Sequence, residues 1–128
     1  MNEIKQLDNE IFERGNKNDD FKDYFVGQSY LNMLSTEGVS IGNVTFEPGC
    51  RNNWHVHHKG GQILLVTGGR DAKELFPGDV VNIPPEVKHW HGAAKDSWFV
   101  HLAVEVPAEG ASNEWLEAVS NEDYNKLK

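Results

Sequence analysis

A single cysteine, Cys50, stands in 128 residues. It closes no intramolecular disulfide, which excludes a disulfide scaffold, and a lone thiol suits a reducing compartment. Long apolar runs are also missing. The longest, Ile63-Leu64-Leu65-Val66, falls far short of the ~20 residues needed to span a bilayer as a helix. Positive charge is scarce: 12 Lys and Arg face 20 Asp and Glu, for a net charge of −8, and the basic residues form no cluster. A polyanion needs concentrated positive charge to neutralise its phosphates, so neither nucleic acid nor an anionic membrane is expected as partner. The opening Met-Asn-Glu-Ile-Lys carries an acid early and no apolar stretch to act as a signal core, which sets the cytosol as the expected location. Repeats and low-complexity segments are absent. What is present is a chain 38% hydrophobic before its 12 glycines are counted, the balance of one soluble globular domain. A small molecule is the expected partner. One count stands out: the chain has six histidines, all between His55 and His101.

Residues 1–23 are polar and charged, with a loop-like stretch from Gly15 to Asp20, and read as an N-terminal arm before a domain over 24–128. From Tyr24 onward, short β-type runs alternate with Gly, Pro and Asn. Val39 to Phe46 ends at Pro48-Gly49, Gln62 to Thr67 at Gly68-Gly69, and Asp79 to Ile83 at Pro84-Pro85. Trp98 to Val106 is the longest run. Its alternation puts Phe99, His101, Ala103 and Glu105 on one face, with Trp98, Val100, Leu102, Val104 and Val106 on the other. Many short strands without helical periodicity indicate an all-β barrel or sandwich. Only the end looks helical, with a cap at Ser120-Asn121-Glu122-Asp123 and a short helix running through Tyr124 and Leu127.

His55-Val56-His57 sets two imidazoles on one strand face, with Cα atoms roughly 6.6 Å apart at ~3.3 Å per residue. From that separation two rings can lean onto one ion at ~2.1 Å. His89-Trp90-His91 repeats the spacing, and a second strand bringing His89 beside the first pair would complete three nitrogens, with Gln62 able to add an amide oxygen. A lone histidine is more often a surface or hydrogen-bonded core residue than a ligand. Two H-x-H pairs in strand contexts within one small domain favour a metal site.

These residues carry a resemblance to the cupin superfamily. Its first motif, G-x5-H-x-H-x3-4-E-x6-G, is matched by Gly49, His55, His57, Gln62 and Gly69, with Gln in place of Glu. Its second, G-x5-P-x-G-x2-H-x3-N, is matched by Gly78, Pro84, Glu86, His89 and Ala93, with Glu for Gly and Ala for Asn. Phe46-Glu47-Pro48-Gly49, Pro77-Gly78-Asp79-Val80-Val81, Val87-Lys88-His89-Trp90-His91-Gly92 and the tail Glu114-Trp115-Leu116-Glu117 are similar to a subgroup of small single-domain bacterial cupins. That subgroup is often grouped by name with carboxymuconolactone decarboxylases, and some of its members are manganese-dependent hydroxynitrile lyases.

The resemblance implies a double-stranded β-helix, or jelly-roll, barrel with a short C-terminal helix and an N-terminal arm. It also implies one divalent transition metal, Mn(II) favoured and Fe, Zn or Ni possible, held by His55, His57, Gln62 and His89. His101 and His91 then resemble the residues that handle the proton. A neutral imidazole near pH 7 suits proton abstraction from a hydroxyl. Three histidines and a glutamine bring no negative charge, so the ion keeps its Lewis acidity and attracts anions. His58, of opposite strand parity, reads as a solvent-facing loop residue. Trp54, Trp90 and Trp98 read as packing, Trp115 as packing the C-terminal segment on the barrel or a partner subunit, and Cys50 as a small buried residue.

Only Arg70 to Pro77 separate the two motifs, where the family usually has a further hairpin. Such a shortening would open one barrel edge. The expected function is that of a metal-dependent lyase acting on a small carbonyl or hydroxyl compound. Alternatives are an Fe(II)-dependent dioxygenase or decarboxylase-like cupin, and a cupin that binds a metal or small ligand without turnover. A homodimer is the expected assembly.

Overall fold

The computed structural model describes residues 10–126. Among these residues ten strands follow one another: β1 (Asn16–Lys17), β2 (Phe25–Val26), β3 (Ser29–Ser35), β4 (Ile41–Phe46), β5 (Arg51–Asn52), β6 (His55–His58), β7 (Gln62–Gly69), β8 (Val80–Ile83), β9 (Phe99–Glu105) and β10 (Ser112–Trp115). A 3₁₀ turn, Asp19–Tyr24, joins β1 to β2, and one α-helix, α1 (Asn121–Asn125), follows the last strand. A six-stranded sheet runs in the order β1-β3-β4-β9-β7-β8, and β10 pairs with β6 and β2 with β5. Every pairing is antiparallel. The all-β architecture with a short C-terminal helix agrees with the sequence.

The long strands form where β-branched and aromatic residues alternate. In β7, Gln62, Leu64 and Val66 are buried while Ile63 and Leu65 are only partly so, the period-2 pattern of a sheet with one packed face. The core lies against that face. Phe46, Cys50, Val66, Ala93 and Phe99 form one buried cluster, and Ala72, Trp90, Val119 and Tyr124 form a second beneath the C-terminal segment. Burying one such large apolar side chain stabilises the fold by ~1.5–3 kcal/mol.

Two glycines beside the site strands are required by geometry. At Gly69, with φ of 69°, a Cβ would stand 1.7 Å from the Trp98 carbonyl oxygen; at Gly61, with φ of 93°, it would stand 2.6 Å from that of Ile83. No L side chain fits either place, and Gly61 immediately precedes Gln62 at the start of β7.

Several elements differ in detail from the sequence reading. Within the stretch read as a loop, Asn16 and Lys17 pair with Leu31 and Tyr30. His89-Trp90-His91 forms no strand ladder but is bridged to β6 through His55 and His89. The α-helix ends at Asn125, and Leu127 lies outside the described residues. His58 sits within β6, not in a loop.

The short segment 70–77 forms no extra strand. Instead Arg70 and Ala72 run beside the 92–98 stretch: the Arg70 and Ala72 amides donate to Trp98 and Gly92 at 2.8 and 2.9 Å, and Ala94 N–H returns a bond to Arg70. The strand that follows, β8, is the last in its sheet, and its Val80 is 63% exposed.

Candidate metal centre

The doubly bonded bridge between His55 and His89 is the foundation of the site. Each residue's amide donates to the other's carbonyl, at 2.9 and 3.0 Å, which locks their side chains into adjacent positions. His57 lies two residues beyond His55 and is buried on the same face of β6. One potential ligand atom from each of His55, His57 and His89 lies within 4.8 Å of the others, as the sequence reading anticipated.

The three rings share a second property. Each Nδ1 meets an oxygen acceptor: His55 the carbonyl of Asn53 at 2.9 Å, His89 that of Val87 at 2.9 Å, and His57 the side-chain oxygen of Asn113 at 2.6 Å. An Nδ1–H donating there leaves the Nε2 lone pair as the free donor of each ring. The Nε2 atoms of His57 and His89 are buried without a hydrogen-bond partner. Buried polar atoms are normally satisfied, so orphaned nitrogens on rings held by outer hydrogen bonds fit a cation of the transition series.

Electrostatics favour the neutral, donor-capable state of His55 and His89. Burial foremost, with His89 nearby, pushes His55 down to about 3, and burial with the neighbouring His57 pushes His89 down to about 4. His57 behaves differently: burial pulls it down, but the Glu105 carboxylate and the Asn113 amide outweigh burial, and the net shift is upward.

Gln62 and His91 complete the cluster. His91 Nε2 lies 3.2 Å from Gln62 Oε1, and its backbone N–H donates to Asn52 Oδ1 at 2.8 Å. Full burial, then the neighbouring histidines, holds His91 well below its ordinary range. His101 is buried and stacked on Phe99 at 4.7 Å, with its ring centroid 5.9 Å from that of His91. Burial alone pushes it down to about 3, and its Nδ1 has no partner.

A cavity of about 260 Å³ opens onto His55, His57, Gln62, His91 and His101. Its remaining walls are largely apolar, with Phe25, Val44, Phe46 and Ala103 among them, and Phe21 and Trp115 stand in the same lining. Trp115 stacks on Tyr24 at 4.8 Å and lies 4.9 Å from the His55 ring, so it packs the tail directly against the histidine cluster. The other three tryptophans pack elsewhere, Trp90 in the core with Trp54 partly buried against the same cluster, and Trp98 against Tyr30. Cys50 is buried, and burial pushes its thiol up to about 12, which removes it as a nucleophile.

His58 stands apart from the cluster. Its two ring nitrogens bond Glu86 at 2.7 Å and Glu114 at 2.8 Å, tying β6 to β10 and to the 84–88 turn. Three residues of the site were missed in the sequence: Glu105, Asn113 and Asn52. For Glu105 the signal was available, because the alternation of β9 already set it on the face of His101.

No family model matches the chain. A cupin-like protein of known structure from Thermotoga maritima is 42% identical, with a TM-score of 0.82 over 91% of this chain and 96% of its own. An (R)-mandelonitrile lyase from Granulicella tundricola is 39% identical over 95 residues, 69% of this chain and 72% of its own length. A sugar phosphate isomerase of known structure from Silicibacter pomeroyi, 18% identical with a TM-score of 0.60 over 88% of this chain and 82% of its own, shares the fold.

Proposed function

This chain belongs to the cupin superfamily, and from that premise we propose that it is a metal-dependent lyase acting on a small carbonyl or hydroxyl compound. The observation that carries the proposal is the set of three Nδ1-anchored imidazoles beside an apolar-walled cavity that also exposes His101. At about 260 Å³ the cavity is just smaller than the ~300–1,000 Å³ typical of drug-sized ligands, which suits a compact substrate.

His55, His57 and His89, with the amide oxygen of Gln62, would hold one divalent transition metal ion. Manganese is the ion favoured; Fe, Zn or Ni are the alternatives, because affinity trends favour the later metals in a foreign host. When bound, the ion supplies Lewis acidity toward a substrate oxygen. The remaining chemistry falls to the protein. His91 holds the Gln62 oxygen in place, and the apolar walls exclude water from the substrate.

Hydroxynitrile cleavage, the reaction class suggested by the name of the mandelonitrile lyase relative, gives the most concrete form. His101 takes the proton of the substrate hydroxyl, the bond to the nitrile carbon breaks with its electron pair leaving as cyanide, and the carbonyl forms. The proton on His101 then passes to cyanide, giving hydrogen cyanide and restoring the neutral ring. Burial keeps the His101 imidazole neutral before the proton transfer, the form a general base requires.

The test is cyanohydrin formation from benzaldehyde and cyanide by manganese-loaded protein. Turnover is expected both with and without oxygen, unlike that of a dioxygenase. His101→Ala should lower the rate roughly 10²–10⁴-fold with bound metal unchanged. No turnover in metal-replete protein, or an unaffected His101→Ala variant, contradicts the proposal. We also propose a homodimer as the working assembly, to be checked by light scattering.

A further inference from the structure

Glu105 occupies a position that the expected ligand set leaves unexplained. It is the direct cross-strand partner of Gln62 between β9 and β7. Its Oε2 accepts from Gln62 Nε2 at 2.6 Å, and its Oε1 lies 3.4 Å from His57 Nδ1. One carboxylate thus touches two members of the cluster. It also stands in the wall shared by the 260 Å³ cavity and a neighbouring polar cavity of about 360 Å³, beside Ser40, His57 and Asn113.

The chemistry of an amide makes this contact directional. Gln62 can present either its oxygen or its NH₂ to the cluster, and only the oxygen is a metal donor. A carboxylate accepts and cannot donate, so it claims the NH₂ and turns Oε1 away. There His91 Nε2 meets it at 3.2 Å, using one lone pair and leaving the other. The donor set is neutral, but its immediate surroundings are not.

We propose that Glu105 is the anionic component of this site: a positioning residue that holds the Gln62 amide oxygen inward and turns the cavity from anionic toward neutral substrates. The proposal rests on the metal centre proposed above. It reverses the expectation that a neutral ligand shell alone draws in small anions. The negative charge lies one hydrogen bond outside the proposed shell, in the cavity wall, where it would offset the ion's charge while the donor atoms themselves stay neutral.

The experiment compares wild type, Glu105→Gln, and the exchanged pair Gln62→Glu with Glu105→Gln. Glutamine matches glutamate in shape, and the Glu105 side chain is 36% exposed, so the substitution leaves packing intact. Two properties are read without turnover: Mn²⁺ affinity from the electron-paramagnetic signal of the free ion, and acetate affinity from water-proton relaxation of the manganese-loaded protein. Glu105→Gln is expected to weaken Mn²⁺ binding roughly 10–100-fold, the usual effect of removing an outer partner of a ligand, and to tighten acetate roughly tenfold by removing a like charge. The exchanged pair restores both the hydrogen bond and the charge, and should recover Mn²⁺ affinity to at least the wild-type value.

Unchanged Mn²⁺ and acetate affinities in Glu105→Gln overturn the proposal. So does an exchanged pair as weak as Glu105→Gln, which would mark the loss as general disruption and not a loss of amide orientation. A wild type that binds no Mn²⁺ overturns the metal centre itself and this proposal with it, an outcome distinct from the other two.

Discussion

The side-chain oxygen of Asn113 accepts from His57 Nδ1 at 2.6 Å, and with the longer contact to Glu105 this bond turns Nε2 of His57 toward the cluster. Asn113→Ala removes it and leaves only the longer contact to Glu105. Mn²⁺ affinity should fall roughly 10–100-fold, as read by competition with a chelator, with the circular dichroism spectrum unchanged; unchanged affinity would show that the amide has no orienting role. His101 gives a second prediction, in pH. In the unfolded chain it takes up a proton near its ordinary value of 6.5, while burial holds the folded residue to about 3. Protons therefore favour the unfolded state across that window, and stability falls as the pH drops from 6.5 toward 3, by about 1.4 kcal/mol per pH unit for one such histidine. Urea denaturation of metal-free protein at pH 7, 6 and 5 should show this decline, and His101→Leu should lessen it by about one proton's worth. Equal slopes in the two proteins would mean that His101 is not buried and neutral.

At the scale of elements, the C-terminal segment depends on tertiary contacts. A five-residue helix has too few hydrogen bonds to offset nucleation alone. The Ser120 hydroxyl caps α1 by accepting from the Asp123 amide at 3.0 Å, and the Tyr124 hydroxyl donates to the buried Ala93 carbonyl. Ser120→Ala should destabilise the protein by about 1 kcal/mol. Tyr124→Phe should destabilise it by ~1–3 kcal/mol through the carbonyl left unpaired. Urea midpoints check both, and a null effect would show that the segment is not docked.

The same elements mark what was legible in the sequence. The strands β4, β7, β8 and β9 announce themselves through alternating apolar residues between glycines and prolines. The H-x-H spacing likewise exposes His55 and His57 as a pair. Ser112-Asn113-Glu114-Trp115 has no such pattern. It becomes β10 only because β6 offers it an edge, and propensity carries no information about that context. Asn113 was hidden for this reason. His89 was identified by motif spacing, yet its bridge to His55 depends on contacts 34 positions apart in the chain, beyond any local pattern.

For the whole molecule, an ion bound only by the folded state adds its binding free energy to stability. At a free Mn²⁺ concentration 100 times the dissociation constant, the gain is ~2.7 kcal/mol. Metal removal should lower the melting temperature, and readdition should restore it. The net charge of −8 adds a general attraction for cations, but among the described residues only the histidine cluster brings three potential nitrogen donors together. The most direct test is therefore elemental analysis of protein purified without chelator. The predicted result is close to one transition metal ion per chain, and none after His55 and His57 are both replaced by alanine. A metal-free wild type, or a doubly substituted protein that keeps its ion, would contradict the account.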